Sequence, residues 1–239
     1  MSALKNILPP KVYNTILDTY QTYISGYYRK AYSQEGEDLL LSRIFGRKNN
    51  GFYVDVGALH PLRFSNTYYF YKQGWQGINI EPRPGSKLLF DKARPKDINL
   101  EKAVSNQEKT LTYHIFNEPA LNTFSDEVAL RNSKVSGYNI EKKVSIKTVT
   151  LKSVFDEYLK EGQNIDFLSI DVEGLDFEVL QSNDWERFKP SVILVEDTQF
   201  DFSNLDASQV YNYLSNKGYC FYAKTVNTLF FKSLNFNVV

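Results

Sequence analysis

Carboxylates stand repeatedly where apolar runs of this sequence give way to polar loops. Gly51-Phe52-Tyr53-Val54-Asp55-Val56-Gly57 is one such run, closing on an acid and a glycine. Gly77-Ile78-Asn79-Ile80 leads into Glu81, Ile165 to Ile170 leads into Asp171-Val172-Glu173, and Val192 to Val195 leads into Glu196-Asp197. A carboxylate held at a strand end can grip a hydroxyl or an amine, and a glycine there lets the backbone come close to a ligand. Asp55-Val56-Gly57 and Glu81 together outline a nucleoside pocket. His60 has the best intrinsic pKa for a general base near neutrality, although a histidine before Pro61 can equally hold a turn. His114 falls within an alternating stretch and reads as structural.

These groups need strands to carry them. Val54, Val56 and their aromatic neighbours read as a buried parallel strand. Glu37 to Phe45 reads as a helix after the polar cap Tyr32 to Asp38. Ser65-Asn66-Thr67 starts another helix, which Gly74 ends. Pro82-Arg83-Pro84 opens a helix through Phe90. Asp97 to Val104 reads as a third strand and Thr110 to Phe116 as an alternating one. Asn117 to Lys143 is polar and irregular, and a stretch of that length suits a lid, a binding loop or disorder. Val144 to Val149 alternates, Leu151 to Leu159 is amphipathic, and Gly174 to Leu180 and Ser208 to Asn216 are helical. Tyr219 to Ala223 and Thr228 to Phe231 form a final pair. The pattern predicts a doubly wound α/β domain over 31–239, its mostly parallel sheet closed by a C-terminal antiparallel hairpin, with an insertion around 117–143. In such sheets ligands bind outside the carboxyl ends of the strands.

Residues 1–30 have a different character. Val12, Ile16, Tyr20, Tyr23 and Ile24 fall at helical spacing, and Asp18 is the only acid. A helix packed on the domain or on a second subunit, giving a homo-oligomer, is the plainer reading, and a membrane-surface anchor is the alternative. The N-terminus lacks the apolar stretch of a secretory signal and no run is long enough to span a bilayer, so the expected location is cytoplasmic. Lys+Arg and Asp+Glu both number 28, so no global basic field points to nucleic acid. Cys220 is the only cysteine, which excludes an intramolecular disulfide and a multi-cysteine metal site.

A dinucleotide site wants Gly-x-Gly-x-x-Gly, so that a helix N-terminus receives the pyrophosphate. Asp55-Val56-Gly57-Ala58-Leu59-His60-Pro61 lacks the second and third glycines. A ligand without phosphate fits better. S-adenosylmethionine carries an amine, a carboxylate and a sulfonium. Asp55 would attract its cationic part and Glu81 would take both ribose hydroxyls.

Tyr32-Ser33-Gln34-Glu35-Gly36-Glu37-Asp38, Val54-Asp55-Val56-Gly57-Ala58, Gly74 to Pro82 and Ile170-Asp171-Val172-Glu173-Gly174 occur in that order. The combination resembles the FkbM family of S-adenosylmethionine-dependent methyltransferases over about Tyr32 to Thr198. The resemblance implies a class I, Rossmann-like methyltransferase domain and O-methylation, commonly of a sugar hydroxyl in a surface polysaccharide, in its nucleotide-activated precursor, or in a natural product. It implies cofactor contacts from Asp55, Gly57 and Glu81, with Gln34 and Ser65 at the amino-acid end and Ala103-Val104 near the adenine. His60-Pro61 with Ser65-Asn66-Thr67 replaces the usual glycine-rich loop.

His60, Asp171 and Glu173 are the candidates to take the acceptor proton, and Asp171 is also placed beside the cofactor. Asp171, Glu196 and Asp197 could hold magnesium, which prefers oxygen ligands and could lower a hydroxyl pKa. Alternatively, Asp171 and Glu173 orient substrate or cap the next helix. A metal-dependent glycosyltransferase explains the acidic pair but leaves Asp55 and Glu81 without a shared task. A non-catalytic S-adenosylmethionine-binding module is the other rival, since a fold alone does not establish activity.

Overall fold

The computed structural model describes residues 5–25, 29–46 and 48–237. Two compact units divide the chain, Met1–Ala31 and Tyr32–Val239. In the first, helix α1 (Pro10–Tyr20) has proline in its opening turn, where the missing N–H is no loss, and a π-helical turn Gln21–Ser25 follows it. Val12, Ile16 and Tyr20 recur along α1 with the expected helical spacing. Of the leader expected from sequence, 1–4 and 26–28 lie outside the described residues.

The second unit is mixed α/β. Helix α2 (Glu37–Ile44) precedes β1 (Phe52–Val56), α3 (Tyr68–Lys72), β2 (Gln76–Ile80), α4 (Ser86–Ala93) and β3 (Ile98–Leu100). Then come β4 (Ala103–Val104), β5 (Thr110–Phe116), α5 (Asp126–Asn132) and β6 (Ile140–Val149). The chain continues through α6 (Leu151–Tyr158), β7 (Phe167–Ile170), α7 (Asp176–Gln181), β8 (Val192–Glu196), α8 (Gln209–Asn216), β9 (Tyr219–Lys224) and β10 (Thr228–Ser233).

Seven strands form the main sheet in the order β3-β2-β1-β7-β8-β10-β9. From β3 to β8 all neighbours are parallel, while β10 runs antiparallel to both β8 and β9. The chain winds outward from β1 through β2 to β3, then returns to β7 on the other side of β1. The strand order therefore reverses between β1 and β7, the place where such sheets open a crevice.

Side chains alternate along a strand, and both faces of this sheet are buried. Val54, Val56, Ile78, Ile80, Leu168, Ile170, Ile193 and Val195 pack on one face with Leu151, Phe155, Val179, Leu180 and Leu214. Tyr53, Phe167, Leu194 and Phe230 pack on the other with Leu41, Ile44, Phe45, Phe70 and Trp75. The alternation sends Asp55 to the Tyr53 face, with consequences for its role.

Two expectations are corrected. The run 97–104 is two strands: β3 ends where the Leu100 carbonyl accepts from Glu81 N–H, and β4 joins β6 and β5 in a second, three-stranded sheet. Glu101 and Lys102 interrupt the run, and the pattern on either side of them does not reveal which partner each half finds. The stretch 117–143 is also more ordered than its composition suggests. Thr123 bridges His114, the Ser125 hydroxyl accepts from Val128 N–H to cap α5, and β6 already begins at Ile140. Among the residues of α5 only Ala129 is buried, and the first half of β6 faces water, so neither carries much apolar signal.

Candidate active site

A cavity of about 930 Å³, counting the space at its mouth, opens at the carboxyl ends of β1, β2, β7 and β8. Val56, Gly57, Ile80 and Glu81 line it from β1, β2 and their ends. Asp171, Val172 and Glu173 follow β7, and Glu196 ends β8 beside Asn227 and Thr228. Gln34, Glu35 and Glu37 approach from the segment before and into α2. The second sheet and the turn after β5 add Ala103, Val104, Tyr113, Asn122 and Phe124.

Glu81 is 5% exposed and rigidly held. Its Oε2 accepts from Leu59 N–H at 2.9 Å, and its Oε1 accepts from Arg83 N–H at 2.9 Å and from the Tyr113 hydroxyl at 3.4 Å. Burial raises its pKa, while the two backbone donors and the Arg83 charge oppose that rise. Gly57 has φ +81°, and a Cβ built there would lie 1.7 Å from the Asp171 carbonyl oxygen. Glycine is required because the ends of β1 and β7 touch, in addition to any closeness to a ligand.

The opposite wall is crowded with acids. Asp171 is accessible from the cavity yet sits deep within the domain. That enclosure, reinforced by Glu196, Asp176, Asp55 and Glu37, pushes its pKa well above the usual carboxylate range. Burial and the charges of Asp171 and Asp176 push Glu173 up to about 8. Glu196 rises to about 8 through burial and the charges of Glu173, Asp176 and Glu35. The loop bearing these groups is braced from beneath. Asp176 accepts from Val172 N–H and Gly174 N–H, and Thr123 Oγ1 donates to the Glu173 carbonyl at 2.6 Å. Glu173 itself has φ +53°, a strained setting for a residue with a side chain.

Four residues singled out by sequence, Asp55, Ser65, His60 and Asp197, do not line the cavity. Asp55 points to the other face of the sheet, where Thr67 Oγ1 donates to it at 2.8 Å. Ser65 is 1% exposed, and its Oγ accepts from Arg94, Tyr68 N–H and Thr67 N–H. His60 Nδ1 accepts from Leu62 N–H and Arg63 N–H, both at 3.1 Å, so the ring holds a turn. Burial, followed by the Arg83, Arg63 and Arg94 charges, lowers its pKa. Gln34, Gly57, Glu81, Ala103, Val104, Asp171, Glu173 and Glu196 do come together around the cavity.

The divalent-cation set Asp171, Glu196 and Asp197 is not assembled. Asp197 turns to Gln199 N–H and the Ser208 hydroxyl at the start of α8. Among the described residues no group of three His, Cys, Asp or Glu side chains is arranged to hold a metal ion.

Sequence reasoning passed over Arg94 altogether. It is 0% exposed, yet its guanidinium donates to the Pro61 carbonyl, Ser65 Oγ, Thr67 Oγ1 and Asn79 Oδ1. Asp97 lies 3.9 Å away, and the rings of Tyr68, Tyr71 and Phe90 surround it. This buried cation pins the loop after β1, which has too few glycines to pack tightly unaided. Only the run of hydroxyl and amide residues at Ser65, Thr67, Asn79 and Asn99 hinted at a buried polar partner.

A mostly parallel sheet with an acid-lined cleft at its switch point defines an α/β protein built to bind a small polar ligand. The methyltransferase FkbM domain model matches residues 55–221, well over half of the sequence. The chain belongs to the FkbM methyltransferase family, and methyl transfer is the activity this membership implies. No curated protein sequence matches the chain significantly. No helix among the described residues is long and apolar enough to cross a membrane.

Proposed function

We propose that this methyltransferase is S-adenosylmethionine-dependent and transfers the methyl group to a sugar hydroxyl of a surface glycan, on a class I, Rossmann-like domain. The observation that carries the reading is the composition of the cavity wall. Glu81, fixed by two backbone N–H groups, faces a space shared with Asp171, Glu173 and Glu196, and Lys102 is the one Lys or Arg among the lining residues. Such a lining suits a ligand bearing an ammonium and a sulfonium. It disfavours a diphosphate bound without a metal ion, and so favours the glycan over its nucleotide-activated precursor as acceptor.

In this reading Glu81 holds the ribose hydroxyls, Ala103 and Val104 lie by the adenine, and Gln34 reaches the amino-acid end. Gly57 contributes backbone. Asp55 and Ser65 act from outside the cavity, by fixing the loop after β1. When bound, the cofactor supplies an electrophilic methyl group. The chain must align the acceptor oxygen, exclude water and accept its proton. Asp171 and Glu173 are the groups proposed to receive that proton, with Glu196 beside them. Their raised pKa values bring them nearer to a hydroxyl's proton affinity than an ordinary carboxylate would be. His60 is assigned to the turn.

A methyl-transfer assay against glycans and nucleotide sugars, with mass detection and with and without EDTA, tests this. The expected result is a methylated glycan. Calorimetric binding of a sugar nucleotide, with no binding of S-adenosylhomocysteine, would instead favour the glycosyltransferase. Cofactor binding without transfer to any acceptor would point to a non-catalytic module.

A further inference from the structure

Of the readings open for 117–143, a lid over substrate leaves Phe124, and its contact with Tyr113 of β5, unexplained. Tyr113 is 4% exposed and is seated in the β5–β6 ladder opposite Val144. Its hydroxyl reaches Glu81 Oε1, a contact between residues far apart in sequence. Asn122, whose Oδ1 accepts from Phe116 N–H, sets its amide beside the same hydroxyl. The Phe124 ring lies 4.5 Å from the Tyr113 ring, and both line the cavity with Ala103 and Val104. An aromatic face therefore stands one tyrosine ring away from the carboxylate assigned to the ribose.

We infer that the β5–β6 segment builds the nucleoside end of the cavity. Tyr113 is a positioning residue that steers Glu81, and Phe124 offers its ring to the purine base. This rests on the S-adenosylmethionine reading above. It makes the segment part of the donor site, a task distinct from covering the acceptor. The Arg83 and Leu59 N–H donors orient the Glu81 carboxylate from its own side of the cleft, and the Tyr113 hydroxyl does so from the second sheet. Stacking on Phe124 would recognise the base by its flat face, with no reading of its hydrogen-bonding edge.

Calorimetry with three probes separates the two parts of the inference. S-adenosylhomocysteine has base and ribose hydroxyls, S-ribosylhomocysteine lacks the base, and the 2′,3′-dideoxy analogue of S-adenosylhomocysteine lacks the hydroxyls. Phe124→Ala is expected to weaken S-adenosylhomocysteine by about tenfold or more, the usual scale of base–aromatic stacking, and to leave S-ribosylhomocysteine unchanged. Tyr113→Phe is expected to weaken both of these by about fivefold, one hydrogen bond's worth, and to leave the dideoxy analogue unchanged. Phe124→Leu keeps the apolar volume and serves if the alanine variant does not fold. The inference is overturned if the variants bind S-adenosylhomocysteine as the wild type does, or if each weakens all three probes equally. Failure of the wild type to bind S-adenosylhomocysteine would sink the cofactor reading as well, so the two failures are distinguishable.

Discussion

The two sides of the cleft treat charge in opposite ways, the β1 side in a network behind the cavity and the β7 and β8 side in the cavity lining itself. On the β1 side, Asp55 has Thr67, and Arg94 has Pro61, Ser65, Thr67, Asn79 and nearby Asp97. Every charge there has an opposite charge or a hydrogen bond within reach. On the β7 and β8 side, Asp171, Glu173 and Glu196 face a shared space, and each raises a neighbour's pKa. Satisfied charge builds scaffold. Crowded, like charge costs stability and is kept where a ligand will answer it. On the proposed function the loop after β1 is framework, and the loop after β7 carries the proposed reacting edge.

The sharpest way to break this contrast is to remove the cation of the framework wall. Arg94→Met keeps much of the stem but leaves Asp97 and the Pro61 carbonyl buried with fewer partners. It is expected to cost about 3–5 kcal/mol in urea unfolding, the usual scale for breaking a buried ionic network. A loss below about 1 kcal/mol would mean that water, or repacking by Tyr68 and Tyr71, replaces the guanidinium easily, and the wall would not be the rigid one.

The reacting wall should respond in the opposite sense. Asp171→Asn keeps the shape and removes a carboxyl whose ionised form its neighbours disfavour, so stability is expected to hold or rise. Turnover should fall by about a hundredfold or more, the lower range for loss of a general base, with S-adenosylhomocysteine affinity changed much less. Turnover near wild type would move the proton acceptor to Glu173 or Glu196.

Crowded carboxylates also predict a pH dependence. Glu173 and Glu196 are raised to about 8 and Asp176 to about 6. The folded protein then keeps protons that the unfolded chain releases at lower pH. The resulting stability is fully present below the ordinary carboxylate range and is lost as pH rises through about 8. The melting temperature should therefore fall between about pH 5 and pH 9, and Glu173→Gln or Glu196→Gln should flatten that fall. A melting temperature that rises over this interval would show the cluster to be paired after all.

The same contrast explains what the sequence could reveal. Strand ends such as Glu81, Asp171 and Glu196 were legible because apolar runs mark strands and the next polar residue marks their carboxyl ends. The mostly parallel order and the closing antiparallel pair were legible from the alternation of strand and helix patterns. The pleat was the hidden variable for Asp55. One residue of register separates Val56, which lines the cavity, from Asp55, which does not. Arg94 was hidden for another reason: its partners come from distant segments, and a lone arginine at the end of a helix reads as a solvated charge. The short helix inside 117–143 and the first residues of β6, 140–143, escaped because their surfaces are mostly polar.

His60 gives the smallest and most discriminating test. Sequence made it a candidate base, whereas its Nδ1 is occupied by Leu62 and Arg63 N–H groups and its pKa is lowered by burial and nearby arginines. His60→Ala removes an acceptor from two donors in a partly exposed turn, where water can replace it, so stability should change by about 1 kcal/mol or less. His60→Asn offers a side-chain oxygen to the same turn. If the ring only holds the turn, the alanine variant should lose at most a few-fold in turnover and the asparagine variant should recover it, with the pH–rate profile unchanged. A large loss that asparagine fails to rescue, together with the disappearance of a titration near neutrality, would put a reacting group on the wall assigned here to framework.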